Sequence, residues 1–255
     1  MKKTILFIHG MFQNPKSWAK WQSFFEANGY ETIAPAWPLH EGEPSDLRNN
    51  IPAGLGDLRL QTIVDHYANI IQGLAEKPIV IGHSVGGLIV QLLTKKQLIK
   101  AGVCISSVAP NRMLAFDWGF FKNSITIANP FAGDEPFIMT PEAFHGSFAN
   151  TMAETASNVA YGEFATHDSR NVLRDCMLEA GEVDLDIPHV PLLFVAAQED
   201  QICPAELNEK NANSYKDEGS KTDYQMFPAR SHYICGEPGW EEVANNVQQW
   251  INTNA

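Results

Sequence analysis

Short runs of apolar, mostly β-branched residues recur along this chain, and polar segments of helical length separate them. Most of the runs are continuous rather than alternating, which is typical of strands that are buried on both faces of a parallel sheet. The pattern predicts six strands, at Thr4–Ile8, Glu31–Ala34, Pro78–Ile81, Ala101–Val108, Pro191–Ala197 and Thr222–Phe227.

The segments between these runs place apolar residues three or four positions apart, as on one face of a helix. This spacing predicts helices at Leu58–Leu74, Leu88–Leu98, Ala205–Lys216 and Trp240–Ile251. Strands that alternate with helices indicate a doubly wound α/β sheet with right-handed crossovers. We therefore expect residues 1–255 to form a single α/β domain.

The stretch from Asn111 to Pro188 interrupts this alternation, because it contains many aromatic, glycine and proline residues but no convincing strand. A structureless loop of that length is improbable inside a compact domain. Helical patterns at Pro141–Asn150 and Arg170–Glu179 instead predict a helical insertion, 111–188, that acts as a lid. It would lie over the carboxyl ends of the strands, where open parallel sheets bind their ligands.

The segment Gly82-His83-Ser84-Val85-Gly86 matches the pattern G-x-S-x-G, with a predicted strand before it and a predicted helix after it. This context is typical of a nucleophile elbow, in which a sharp turn presents a serine hydroxyl. The alternative is an ordinary glycine turn with a serine helix cap. The choice depends on whether the chain also supplies a base and an acid.

A serine needs a general base, and the base needs an acid that orients it. The fifth predicted strand is followed by Glu199 and Asp200, and the sixth is followed by His232. The order Ser84, Asp200, His232 is the order of the α/β-hydrolase triad. It predicts Ser84 as nucleophile, His232 as base and Asp200 as orienting acid.

Hydrolysis of an acyl group also needs donors for the negative charge that develops on the carbonyl oxygen. The N–H of Val85 follows the nucleophile directly. The loop after the first strand begins with His9-Gly10-Met11, which makes the N–H of Met11 the second expected donor of an oxyanion hole.

These residues together resemble the α/β-hydrolase superfamily, and in particular its small, lidded, esterase-like branch. The resemblance rests on His9-Gly10-Met11 with Trp18, on Gly82–Gly87, on Asp200 with Pro204, and on His232 with the following GEPGW. It implies an acyl-serine intermediate, a helical cap and no cofactor. Antiparallel strands that often precede the first of these motifs are missing, so the expected sheet has six parallel strands.

The composition of the chain argues against some classes of binding partner. Thirty acidic and eighteen basic residues give a net charge of −12, which argues against binding to nucleic acid or to an anionic membrane. No apolar run is long enough to span a bilayer and no cleavage site follows the first strand, so we expect a cytoplasmic protein. The four cysteines lack metal-ligand spacing, and we expect no metal and no disulfide, although Cys203 and Cys235 could be neighbours.

The predicted function is hydrolysis of a small or medium uncharged carboxylic ester, with Phe12, Trp37, Trp118 and His145 as candidate substrate contacts. Ordinary packing explains several of these aromatic residues equally well, and the remaining histidines, including His40, are expected at the surface or as caps. The same triad also serves thioesterases, amidases, perhydrolases and lyases, and a ligand-binding protein without turnover can keep the fold. The sequence leaves the oligomeric state open.

Overall fold

The computed structural model describes residues 3–114 and 127–255. Six strands in that part of the chain form one sheet with the order β2-β1-β3-β4-β5-β6, and every neighbouring pair is parallel. This confirms the predicted α/β class and the six parallel strands. The strands are β1 (Thr4–Ile8), β2 (Glu31–Ile33), β3 (Ile79–His83), β4 (Ala101–Ile105), β5 (Leu192–Ala197) and β6 (Thr222–Phe227).

Helices pack on both faces of the sheet, because successive side chains of a strand point to opposite faces. Leu6 and Ile8 of β1 belong to one buried cluster, whereas Ile5 and Phe7 belong to another. The helices in chain order are α1 (Ala19–Ala27), α2 (Pro44–Asn49), α3 (Leu60–Gln72), α4 (Val85–Lys95), α5 (Asn111–Leu114), α6 (Glu154–Phe164), α7 (Arg170–Cys176), α8 (Ala205–Ala212) and α9 (Trp240–Asn254). Helices α3, α4 and α8 bury their apolar faces in the first cluster, and α1 and α9 in the second.

The ends of two strands differ from the prediction in ways that matter for the site. β3 extends to His83 and α4 begins at Val85, so a single residue, Ser84, makes the turn between them. β4 ends at Ile105 rather than at Val108, because Ser106 has a positive φ of 42° and the strand geometry stops there. Both boundaries lie at the carboxyl edge of the sheet.

The chain between β4 and β5 is helical in the part that the structure describes. Its elements include α5, α6, α7 and a helical turn at Pro141–Ala143 that continues as a π-helix at Phe144–Phe148. Phe137 and Asp168 form an isolated antiparallel bridge. The interpretation of 111–188 as a lid stays a prediction.

All four cysteines are buried. Cys203 packs in the first cluster and Cys235 in the second, so they lie in the cores on opposite faces of the sheet. Among the described residues, none of the helices combines the length and the apolar character that a bilayer crossing requires.

Candidate active site

Ser84 has φ 56° and ψ −121°, a backbone conformation that non-glycine residues rarely adopt. Such strain costs about 1–3 kcal/mol and persists only where the surroundings enforce it. Here the Ser84 N–H donates to the carbonyl of Ile105 at 3.0 Å, and the Ser84 carbonyl accepts from the N–H of Gly87 at 2.9 Å. The serine is 7% exposed and lines a cavity at the carboxyl edge of the sheet.

Glycines around Ser84 allow main-chain atoms to approach one another closely. A Cβ on Gly82 would lie 2.2 Å from the carbonyl oxygen of Gly86, and a Cβ on Gly86 would lie 2.4 Å from that of Ile8. A Cβ on Gly10 would lie 2.8 Å from the Cβ of Ser84. The tight turn therefore excludes any side chain at these positions, as the motif predicts.

His232 and Asp200 form a buried pair beside this cavity. The Nδ1 atom of His232 lies 2.8 Å from Oδ2 of Asp200. The other carboxylate oxygen, Oδ1, accepts the N–H groups of Ile202 and Cys203, each at 2.8 Å. Because a carboxylate accepts only, the proton lies on Nδ1, and the lone pair of Nε2 is left to act as a base. His232 lines the same cavity as Ser84.

Two side chains hold the segment that carries His232. Nε2 of His83 donates to the His232 carbonyl at 2.8 Å, and burial together with the neighbouring His232 holds the pKa of His83 well below its ordinary value. Glu237 is buried, and its carboxylate accepts the N–H and the hydroxyl of Ser231 as well as the hydroxyl of Thr151. The position of His232 is thus fixed by His83 from the elbow and by Glu237 of the GEPGW segment that follows the histidine.

The loop after β1 is fixed in a similar way. His9 Nδ1 donates to the Gly10 carbonyl at 2.9 Å, and His9 Nε2 accepts the N–H of Trp37 at 3.1 Å. These two partners require a neutral imidazole, and burial and the nearby His40 lower the pKa of His9 accordingly. Since the C=O and N–H of a trans peptide point in opposite directions, the first contact also orients the N–H of Met11.

The cavity beside Ser84 has a volume of about 120 Å³ and a mainly apolar wall. Among the described residues, its lining includes no charged side chain other than the titratable His232. It is lined by Met11, Phe12, Ser84, Val85, Val108, Ile127, Met139, Ser147, Phe148, Leu173, Ile202 and His232.

Five of the residues that the sequence singled out, Ser84, His232, Met11, Val85 and Phe12, line this one cavity, and Asp200 binds His232 behind it. Two other candidates in the described part of the chain do not line the cavity. Trp37 is fully buried and its ring stacks on His9 at 4.8 Å, and the half-buried His145 is absent from the lining. Trp118 lies outside the described residues.

His40 is a correction to the sequence interpretation, because it is 1% exposed rather than at the surface. Its Nε2 atom lies 3.5 Å from Oδ2 of Asp168, and its ring centroid is 5.6 Å from that of His9. Burial lowers the pKa of His40, but the nearby Asp168 outweighs this effect and leaves it raised. No spacing along the chain connects His40 with Asp168.

Within residues 3–114 and 127–255, no three or more His, Cys, Asp or Glu side chains are grouped so as to hold a metal ion.

Comparison with known proteins identifies the family of the chain. A model of the alpha/beta hydrolase family matches residues 5–245, which is nearly the whole chain. The chain belongs to the alpha/beta hydrolase family. A search of curated protein sequences finds no match.

Solved structures of other alpha/beta hydrolases share the fold at low sequence identity. A monoacylglycerol lipase from Paleococcus ferrophilus has a TM-score of 0.72 at 19% identity, over 99% of this chain and 95% of that one. A methylesterase from Arabidopsis has a TM-score of 0.72 at 12% identity, over 98% and 99%. A thioesterase domain from the curacin biosynthetic pathway has a TM-score of 0.66 at 14% identity, over 97% and 91%. At these identities the likeness establishes the fold alone.

Proposed function

We propose that this alpha/beta hydrolase is a serine hydrolase that cleaves a small, uncharged carboxylic ester through an acyl-serine intermediate. The observation that carries the proposal is the strained Ser84, which lines a cavity with a mainly apolar wall together with a histidine whose Nδ1 is bound to a buried aspartate. A serine that only capped a helix would need neither the strain nor the imidazole.

In the proposed reaction, Oγ of Ser84 attacks the ester carbonyl while Nε2 of His232 takes the hydroxyl proton. The carbonyl oxygen becomes an oxyanion that the N–H groups of Met11 and Val85 stabilise. The alcohol leaves with the proton from His232, and an acyl group remains on Ser84. Water then attacks this acyl-enzyme with the same base and releases the acid. Asp200 holds the imidazole tautomer and stabilises the imidazolium.

The cavity supports a small, apolar acyl or alcohol group. An apolar cavity of roughly 150 Å³ accommodates a benzene-sized molecule. A cavity of about 120 Å³ therefore suits a group of somewhat smaller size. Because apolar side chains surround it, a charged group next to the scissile bond would lose its hydration without a compensating partner.

The test compares p-nitrophenyl acetate, butyrate and dodecanoate as substrates of the wild-type protein and of Ser84→Ala. We expect a burst of p-nitrophenol from the short esters, slower turnover of the long one, and no burst from Ser84→Ala. A fluorophosphonate should label Ser84, as located by mass spectrometry of the peptide. Ser23→Ala, an exposed serine on α1, is the matched control and should behave like the wild type.

A panel of thioesters and amides with the same acyl groups separates the related activities. Faster turnover of the thioester or amide than of the matched oxygen ester would move the assignment to a thioesterase or amidase. Turnover of a carbonyl compound without any acylation of Ser84 would indicate a lyase. If Ser84 is not labelled and no compound of the panel is turned over, the protein is a ligand-binding member of the fold and the proposal is refuted.

A further inference from the structure

A segment of the insertion pairs with the loop that carries Met11. The N–H of Thr166 donates to the carbonyl of Phe12 at 3.1 Å. The N–H of Phe12 donates to Oδ2 of Asp168 at 3.0 Å. Phe12 therefore has both of its main-chain polar groups bound by residues that lie more than 150 positions later in the chain.

Asp168 is itself held firmly. Its side chain is fully buried, and its other oxygen, Oδ1, accepts the N–H of Ser169 at 2.8 Å. Its own N–H and C=O both pair with Phe137, each at 2.8 Å. Nε2 of His40 lies 3.5 Å from Oδ2, on an imidazole whose raised pKa favours the charged form. A buried carboxylate with these partners is a strong and fixed acceptor.

Met11 lies between two peptide groups that side chains hold in place. The contact of Asp168 with the N–H of Phe12 therefore affects the orientation of the Met11 N–H. His9 binds the carbonyl of the Gly10–Met11 peptide, whereas Asp168 binds the N–H of the Met11–Phe12 peptide. Phe12 has a positive φ of 63°, which costs free energy in a bulky residue and needs such an enforcing contact. With both flanking peptides held, the backbone of Met11 has little freedom to rotate its N–H away from the cavity.

We propose that Asp168 is a positioning residue that fixes the backbone of Met11 and Phe12 from the insertion and so keeps the Met11 N–H in place as an oxyanion donor. This inference rests on the proposed function. It assigns to the insertion a part in the stabilisation of the transition state, besides its part in lining the cavity.

The test uses Asp168→Asn, which preserves the shape of the side chain but removes its charge and one of its two acceptors. The matched control is Asp175→Asn on α7. Asp175 is also a buried acid of the insertion, and it also accepts a backbone N–H, that of Leu60, together with the Arg59 guanidinium. It is absent from the lining of the cavity. Both variants are compared with the wild type for hydrolysis of p-nitrophenyl butyrate.

We expect Asp168→Asn to lower kcat roughly ten- to a hundredfold, since loss of a whole oxyanion donor costs about 10²–10³. KM should change less than about twofold, because the contact acts in the transition state rather than in the ground state. Inhibition by a trifluoromethyl ketone, which adds to Ser84 as a tetrahedral oxyanion, should weaken by the same factor as kcat. Asp175→Asn should keep both values near those of the wild type.

Equal kinetics in Asp168→Asn and Asp175→Asn would overturn the inference and leave the proposed function standing. This holds if both variants match the wild type. It also holds if both lose kcat to the same extent, because a general effect of destabilisation would then explain the data. If Asp168→Asn does not fold, His40→Gln takes its place, and an unchanged kcat in that variant counts against the inference. A wild-type protein that neither turns over the ester nor reacts with fluorophosphonate would refute both proposals together.

Discussion

Oδ2 of Asp200 binds Nδ1 of His232 at 2.8 Å, while its Oδ1 is held by two backbone N–H groups from the loop that follows. The carboxylate can therefore neither rotate away nor be replaced by water without loss of three hydrogen bonds. Because of these contacts, substitution of Asp200 is the most specific test of the proposed mechanism after substitution of Ser84.

We predict that Asp200→Asn lowers kcat by roughly 10³–10⁴ with little change in KM, because an amide at this position favours the wrong imidazole tautomer. The measurement is steady-state hydrolysis of p-nitrophenyl butyrate. Glu199→Gln is the control, since Glu199 precedes Asp200 directly but is exposed. Activity that falls with Glu199→Gln and survives Asp200→Asn would reverse the assignment of the acid.

Gly10→Ala should reduce activity strongly without a matching loss of substrate binding. The new Cβ would lie 2.8 Å from the Cβ of Ser84 and 3.0 Å from the carbonyl oxygen of His83, so the loop must move. A displacement of this kind at the Met11 donor is expected to cost about tenfold to a hundredfold in kcat. The burst amplitude and kcat are the quantities to measure.

Gly162→Ala is the matched control for that substitution. Gly162 lies within α6, and a Cβ there meets nothing within 4 Å. Alanine in a helix interior is more favourable than glycine by up to about 1 kcal/mol, so this variant should be slightly more stable and equally active. An active Gly10→Ala would show that the loop after β1 is not held against the nucleophile.

Leu173→Ala should shift the preference of the enzyme towards longer acyl chains. Leu173 lies on α7, is 5% exposed and lines the cavity, so its truncation enlarges the space beside Ser84. The ratio of kcat/KM for the octanoate to that for the butyrate is expected to rise several-fold. The same truncation should destabilise the fold by about 2–5 kcal/mol.

Leu207→Ala provides the comparison, because Leu207 is as buried as Leu173 but does not line the cavity. A similar loss of stability without a change in chain-length ratio is expected for this variant. If both variants change the ratio equally, the cavity beside Ser84 is not the acyl site.

The pair of His40 and Asp168 predicts a pH-dependent contribution to stability. Burial lowers the pKa of His40, but Asp168, the carbonyl of Pro38 and the charge of Glu41 raise it to a net value above the ordinary one. A pKa that is higher in the folded state than in the unfolded chain stabilises the fold below about pH 6.5. This stabilisation is lost as the pH rises through the raised pKa.

Urea unfolding of the wild type and of His40→Gln at pH 6 and pH 9 measures this effect. The difference in the free energy of unfolding between the two proteins should be larger at pH 6 than at pH 9. In an Asp168→Asn background the same comparison should show a smaller dependence on pH, because the partner charge is gone. A difference that grows towards pH 9 would mean that His40 is neutral in the folded protein.

Sequence patterns were sufficient for the sheet and for the residues that follow its strands. Continuous apolar runs located the four inner strands, which a parallel sheet buries on both faces, whereas the edge strands β2 and β6 are more polar and only partly buried. The carboxyl ends of parallel strands must share one edge. That edge brings Ser84, His232 and Met11 to one cavity, with Asp200 directly behind. Each of these residues lies close to the end of a strand along the chain, so the order of residues in the sequence predicts its position.

The remaining parts of the site depend on contacts between distant segments. Asp168 meets Phe12 across 156 positions, and His83 meets the carbonyl of His232 across 149. Neither contact has a characteristic spacing. The size and apolar character of Trp37 make it a candidate substrate contact, but it packs on His9 inside the core. Size and polarity alone do not distinguish a wall of the cavity from the layer behind it.

Gly86 lies against the end of β1, and this contact affects which substitutions leave the site intact. The two proposed donors, Met11 and Val85, sit on main-chain segments that touch without any intervening side chain, since a Cβ on Gly86 would lie within 2.7 Å of the carbonyl oxygens of both Ile8 and His9. This contact limits how closely the two segments can approach, whatever side chains fill the core. Conservative exchanges at core positions away from the donors and from His9 and Asp168, the two side chains that hold the loop after β1, should therefore alter stability and leave the spacing of the donors unchanged. Thermal tolerance is then free to evolve separately from the chemistry.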